Sequence, residues 1–377
     1  MKPLTMTSRI DKNTLGSSFW PGIAPAATLA ASLVAAACLV WSASTAAHDD
    51  CKAPGCAASE AYHDMPEVAT IGARTGKYMD IPESAKGPAI GPAKGYRIQQ
   101  LGRGLYMVTE NVYQAMFLVH DKGVILVDAP PPLAAFIPNA IREVTDKPVT
   151  HIVYSHAHID HIGAAGDFIA KLPKKPVIVA HEETKAILAN AKDVKRPLPT
   201  LTFRDKHTLK VGGQHLELSY HGNGHEPGNI FILAPEQRTL MVVDVIFPGW
   251  MPWRRLALAQ DVPGYFAQVD LIKSMDFDWL VSGHVARVGT KADVVVQHEF
   301  LQDLKAAAGK ALQTTPLAEG MDARDKSNPW AVFDHYIDRV AAQCVNTLTP
   351  KWAPRLAAFD VYIWDQCFTM EQSLRLD

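Results

Sequence analysis

The densest chemistry in the chain lies in one short run, Ser155-His156-Ala157-His158-Ile159-Asp160-His161-Ile162-Gly163. His156, His158, Asp160 and His161 are all metal-ligand types, gathered in a chain that holds only 15 histidines among 377 residues. The run follows an apolar stretch, 149–154, that reads as a strand. A strand passing into a loop can aim His156 and His158 at one point and Asp160 and His161 at a second beside it. Neutral imidazole and carboxylate suit zinc, which takes nitrogen and oxygen ligands in tetrahedral or slightly expanded sites. A solvated polar turn is the bland alternative, and it leaves so dense a cluster of ligand types unexplained.

Such a cluster needs a frame. Short β-rich segments at 105–110, 113–121 and 124–129 precede it, separated by turn residues such as Asn111 and Asp121-Lys122-Gly123. Residues 130–144 read as a helix led in by prolines, and 164–172 as another. Further strands fit 177–180, 201–204, 207–211, 215–220, 230–233, 239–245 and 279–281. Strands mixed with helices throughout argue for an α/β layered domain over 96–290. Beyond it, 291–312 and 330–345 have helical spacing, so 291–377 is expected to be a helical C-terminal extension. Ahead of it, 48–95 is a Pro/Gly-rich arm with no legible chemistry.

His156-x-His158-x-Asp160-His161 resembles the signature of the metallo-β-lactamase superfamily. Members complete the site with a distant His, then an acidic or thiol residue, then a last His, each at a strand end. Gly222-Asn223-Gly224-His225-Glu226-Pro227-Gly228-Asn229 is similar to the third-ligand loop and nominates His225. Val242-Val243-Asp244 nominates Asp244, and Ser282-Gly283-His284 nominates His284. The resemblance implies a four-layer αββα sandwich with the site at one edge. It also implies two Zn²⁺ ions: His156, His158 and His225 on one, Asp160, His161 and His284 on the other, Asp244 bridging. Two ions sharing a water would make a hydroxide nucleophile near neutral pH, with Asp160 as the catalytic residue that orients it or moves its proton.

The implied reaction is hydrolysis of a lactone, ester or amide bond in a small molecule. A β-lactamase with an unusual ligand set is one alternative, because β-lactam hydrolysing branches usually carry Cys or Ser where Asp244 stands. A mononuclear iron, sulfur dioxygenase-like oxidoreductase is a second, and a non-catalytic binding protein a third that complete ligand retention argues against. Flavo-diiron relatives carry Glu at the position of His158. Where lactonases resembling quorum-quenching enzymes place a Tyr, this chain has Phe247. Phe247, Trp250 and Trp253 form a stiff apolar stretch suited to lining a pocket. Arg254 would hold an anionic group, and Asn229 completes the set of candidate substrate contacts.

Composition bounds the rest. Lys and Arg number 37 against 39 Asp and Glu, for a net charge of −2, which excludes the basic face that nucleic-acid binding needs. With 20% charged and 48% hydrophobic residues, the chain is neither disordered nor a polytopic membrane protein. Residues 1–47 have a basic start, an Ala-rich apolar middle and a small-residue end, the pattern of a secretory signal peptide. Periplasmic or secreted location is therefore expected, with an uncleaved membrane anchor as the alternative. Oligomers are compatible with the sequence. Cys51, Cys56, Cys344 and Cys367 would survive cleavage, and proximity suggests Cys51–Cys56 and Cys344–Cys367.

Overall fold

The computed structural model describes residues 78–318 and 327–377. The leader at 1–47, the Cys51–Cys56 pairing and the arm as far as residue 77 lie outside the described residues. Seven strands build the first sheet in chain order: β1 (Arg97–Gly102), β2 (Leu105–Thr109), β3 (Gln114–His120), β4 (Gly123–Val127), β5 (Val149–Val153), β6 (Val177–His181) and β7 (Leu201–Phe203). The first four form an antiparallel meander, and β4 to β7 run parallel. Parallel neighbours require crossovers. These are α1 (Ile137–Val144), α2 (Ile159–Ile162) with α3 (Ala165–Ala170), and α4 (Glu182–Ala191).

The second sheet is ordered β12-β11-β10-β9-β8. It comprises β8 (Lys206–Val211), β9 (Gln214–Ser219), β10 (Phe231–Ala234), β11 (Thr239–Met241) and β12 (Trp279–Val281). Only β11 and β12 pair in parallel, and α5 (Val262–Ser274) lies between them in sequence.

Period-two alternation sorts the apolar residues into three interiors. Met107, Met116, Ile125 and Val153 meet Leu216, Ile232, Met241 and Val281 between the sheets. Phe117, Leu126 and Ile152 point the other way, onto Ile137, Ile141 and Phe168 of the first helical layer. Phe231, Leu240 and Leu280 face outward from the second sheet onto α5, α6 (Lys291–Thr314), α7 (Pro329–Trp352) and α8 (Phe359–Leu376). The result is the expected αββα sandwich. The C-terminal helices are more than an appendage to it: Phe300, Leu304, Val340 and Ile363 share one interior with the outer face of the second sheet and α5. Each of these buried side chains stabilises by about 1.5–3 kcal/mol.

Caps fix where these helices start. Thr290 and Asp293 form a reciprocal capping box on α6. Asn328 accepts from Trp330 and Ala331 N–H at the start of α7, with Pro329 as its first residue. The Cys344–Cys367 disulfide joins α7 to α8, as proximity suggested. Among the described residues no helix is long and apolar enough to cross a membrane.

Two expected elements change near the site. The helix read at 130–144 opens as a 3-10 turn, Pro131–Leu133, before α1 begins. The strand read at 239–245 stops at Met241, and Asp244 takes a left-handed conformation with φ 63°. Asp tolerates that region better than the β-branched Val242, Val243 and Val245 around it. The bend carries its carboxylate off the sheet end.

Candidate metal centre

Four strand ends converge at one edge of the sandwich. The β5 end delivers His156, His158, Asp160 and His161, with Asp160 and His161 on α2. The loop from β9 to β10 delivers His225, and the ends of β11 and β12 deliver Asp244 and His284. Gly283 makes the last approach possible. Its φ is +81°, and a Cβ there would stand 2.6 Å from Val243 Cγ1.

All seven candidate ligands meet, in two groups. His156, His158, His225 and Asp244 form one, and Asp160, His161 and His284 the other, with donor atoms in each group within 4.8 Å of one another. His225 Nε2 faces His158 Nδ1 at 3.0 Å, and His161 Nε2 faces His284 Nε2 at 3.1 Å. Asp244 Oδ2 lies 3.5 Å from His156 Nε2, 3.2 Å from His225 Nε2 and 3.1 Å from His161 Nε2. Its Oδ1 lies 3.0 Å from His284 Nε2. The carboxylate therefore touches both groups.

The donor set fits a metal. Ligand atoms about 2.0–2.1 Å from a tetrahedral zinc are roughly 3.4 Å apart, close to these separations. Nitrogen facing nitrogen is poor hydrogen bonding but ordinary metal coordination. His156 Nε2 is buried with no hydrogen-bond partner, and such an atom is costly unless something binds it.

Electrostatics separates the histidines. Burial and the neighbouring rings of His161, His225 and His158 hold His156 well below the usual range. Burial and His225 bring His158 down to about 4. Both are thus neutral at neutral pH, as ligands must be. Burial also opposes charge on His161, but Asp244, Asp160 and Asp128 outweigh it and raise that ring to about 9. Asp244, buried yet ringed by His161, His284 and His225, is held well below the carboxylate range.

Each ring of the first group is fixed from behind. His156 Nδ1 pairs with Ser155 Oγ at 2.9 Å, and the Ser155 N–H donates to buried Asp128. His158 Nε2 lies 3.3 Å from Glu226 Oε1, while Glu226 Oε2 accepts from the Ala157 N–H. His225 Nδ1 donates to Ala257 O at 2.6 Å. Glu226 and Ala257 carry no role in the sequence reading, although Glu226 stands beside His225 in the quoted loop. His151, His181 and His221 are engaged elsewhere, with Thr150, Arg204 O and Ser219.

A cavity of about 730 Å³ opens over the ligands. Phe247, Trp250 and Trp253 line it as expected, joined by Met251, Leu258 and Tyr362. Trp250 Nε1–H donates to Ala85 O, pinning the end of the arm. Asn229 and Arg254 stand outside the lining, a departure from expectation. Asn229 is buried and donates to Val243 O, bracing the approach to Asp244. Arg254 faces Asp365 at 4.0 Å and lies over the Tyr362 ring. Tyr113, on the β2–β3 turn, enters the cavity unannounced by the sequence. Its ring centroid is 4.7 Å from that of His284, and burial, with the Asp160 carboxylate among the nearby charges, raises its phenol pKa.

The wall beside Trp253 is unusual. Arg255, Leu256, Ala257 and Leu258 all have positive φ, making the turn Arg254–Leu258 left-handed. That conformation costs roughly 1–2 kcal/mol per L-residue, and none of the four is glycine.

Comparison with known proteins is consistent with this arrangement. A family profile described as Metallo-beta-lactamase superfamily matches residues 108–284, a span containing all seven candidate ligands. The chain is similar to the 2,4-dinitroanisole O-demethylase subunit alpha of Nocardioides sp. (strain JS1661), with 30% identity over 203 residues, 47% of this chain and 61% of that protein. It is also similar to the metallo-beta-lactamase type 2 of Bacillus cereus, with 29% identity over 154 residues, 38% of this chain and 57% of that protein. The chain thus spans about six-tenths of the length of these relatives. A solved metallo-beta-lactamase from Pontibacter korlensis aligns with TM-score 0.46 and 19% identity, over 55% of this chain and 99% of that one.

Proposed function

With residues 108–284 belonging to the metallo-beta-lactamase superfamily as the premise, we propose that the protein is an exported, dinuclear zinc hydrolase of small, uncharged, apolar-bodied substrates. His156, His158 and His225 would hold one ion, Asp160, His161 and His284 the other, and Asp244 both. The observation that carries the substrate reading is the cavity wall, which among the described residues is lined by neither Lys nor Arg. Beyond the ions themselves, which the attacking water and the scissile group would occupy, an ionised substrate carboxylate would find no side-chain cation on this wall to pair with. That favours a neutral lactone, ester, amide or aryl ether over a β-lactam. The Nocardioides relative is named for O-demethylation of 2,4-dinitroanisole, an uncharged aromatic ether, and a body of that kind suits these walls.

Bound zinc supplies Lewis acidity, lowering the pKa of water and polarising the bond to be broken. The chain's own residues do the rest. The Asp160 side chain, 41% exposed on the cavity floor, takes a proton from the attacking water and delivers it to the leaving group. Burial and the Asp160, Asp244 and Glu110 carboxylates push the Tyr113 phenol up to about 12. It therefore stays protonated at neutral pH and donates to an oxygen that gains charge. Phe247, Trp250 and Met251 hold the apolar body and keep bulk water out. Export is supported by the signal-peptide pattern over 1–47 and by the Cys344–Cys367 bond.

The test is turnover by the zinc-loaded full chain, with and without chelator, of an aryl ester, an N-acyl homoserine lactone and a β-lactam. The expected result is chelator-sensitive hydrolysis of a neutral member with the β-lactam inert. Preference for the β-lactam would overturn the uncharged-substrate reading. Turnover indifferent to chelator, or redox activity with iron alone, would overturn the hydrolytic zinc centre.

A further inference from the structure

The left-handed turn Arg254–Leu258 has no glycine to make it easy, so its surroundings must impose it. Two adjacent residues of α8 do so. Asp365 Oδ2 accepts from the Arg255 N–H. Gln366, fully buried, accepts from the Leu256 N–H through Oε1 at 2.8 Å. Its Nε2 donates to Pro252 O at 2.7 Å and to Trp253 O at 2.9 Å. One amide thus clamps the turn on its entry and on its first residues.

The other side of the turn meets the third-ligand loop. Ala257 O accepts from His225 Nδ1, while the N–H groups of Gln260 and Asp261 donate to His225 O and Gly224 O. With the proton on Nδ1, the His225 lone pair is on Nε2, the nitrogen that faces His158 and Asp244. An outer hydrogen bond of this kind sets both the tautomer and the ring orientation of a histidine ligand.

We propose that Asp365 and Gln366 are positioning residues for the metal centre. They act from the C-terminal helix through the left-handed turn, so that the Ala257 carbonyl presents His225 Nε2 to the metal. This rests on the metal-binding reading above, and it makes α8 a determinant of metal affinity as well as of packing.

The experiment compares wild type with Gln366→Leu, which deletes all three clamp hydrogen bonds, and Gln366→Glu, which keeps the acceptor and loses both donors. Met370→Ala, another buried residue of α8, is the packing control. Zinc affinity is read by chelator competition, and thermal unfolding is followed for metal-free and zinc-loaded full chain. Both Gln366 variants should bind zinc about 10–100-fold more weakly at the site that includes His225 and gain less Tm from zinc than wild type. Met370→Ala should lower both Tm values with zinc affinity unchanged. Should Gln366→Leu fail to fold, the isosteric Gln366→Glu carries the test. Gln366 variants that lose Tm as the control does, at wild-type zinc affinity, would reduce the clamp to packing and overturn the proposal. A wild type that binds no zinc, iron or manganese would instead bring down the metal reading on which it rests.

Discussion

In the group His156, His158, His225 and Asp244, every histidine has its second nitrogen engaged: by Ser155 Oγ, Glu226 Oε1 and Ala257 O. In the group Asp160, His161 and His284, support is thinner. His161 Nδ1 is buried without a hydrogen bond, His284 leans on the Tyr113 ring, and Asp160 opens to the cavity. Charge follows the same division, since His156 and His158 are neutral when metal-free while His161 holds a proton up to about pH 9. A pre-organised, already deprotonated ligand set binds metal with less to rearrange. On the dinuclear reading proposed above, the first group would retain its ion and the second would exchange its own beside the substrate.

The largest effects break this asymmetry at the ligands. Zinc titration of the metal-free protein should proceed in two steps of unequal affinity. His156→Ala should abolish the tighter step, His284→Ala the weaker one alone, and Asp244→Ala both. Equal affinities, or loss of the tighter step in His284→Ala, would erase the distinction.

A smaller effect comes from behind the ligands. Glu226→Gln should weaken the tighter step by about 10–100-fold and leave the weaker step where it was. Chelator competition on this variant reads both, and a shift confined to the weaker step would place Glu226 wrongly.

The gentlest test is pH. The His161 pKa lies above its unfolded value, so its charge stabilises the metal-free fold below about pH 6.5. That contribution is lost as pH rises through about 9. Zinc in the second group must displace this proton, so the weaker step should tighten about tenfold per pH unit between 7 and 9. The tighter step should show no such slope, because burial and neighbouring rings leave His156 and His158 without a proton there. Isothermal titrations at pH 7, 8 and 9 decide it, and parallel slopes would contradict the division.

The seven candidate ligands that the structure brings together were legible in the sequence because four sit in one local motif and the resemblance nominated the others at strand ends. Their supports were not. Glu226 reaches Ala157 across 69 residues, a meeting that depends on how two loops fold together. Tyr113 comes against His284 only because the two sheets face each other, through an isolated bridge between those residues. The turn at 254–258 runs against local propensity, so no pattern of Arg-Leu-Ala-Leu could announce it. Arg254 misled for the same reason, since its carboxylate partner lies on a helix more than a hundred residues away. Alternating strands and helices implied a layered α/β domain, and its four-layer αββα order came only from the resemblance to the metallo-β-lactamase superfamily. The share of the fourth layer owed to residues after 291 was not legible, because helical spacing shows that a face is apolar without showing what it covers.

That shared layer limits how the domain can be transplanted. A chain cut after His284, where the family match ends, would strip α6, α7 and α8 from the interior that Phe231, Leu240 and Leu280 share with α5 and leave the turn at 254–258 without its clamp. Any chimera or minimal version that aims to keep the metal centre has to carry the sequence through α8, and a swap of substrate pockets between relatives has to move two distant segments together.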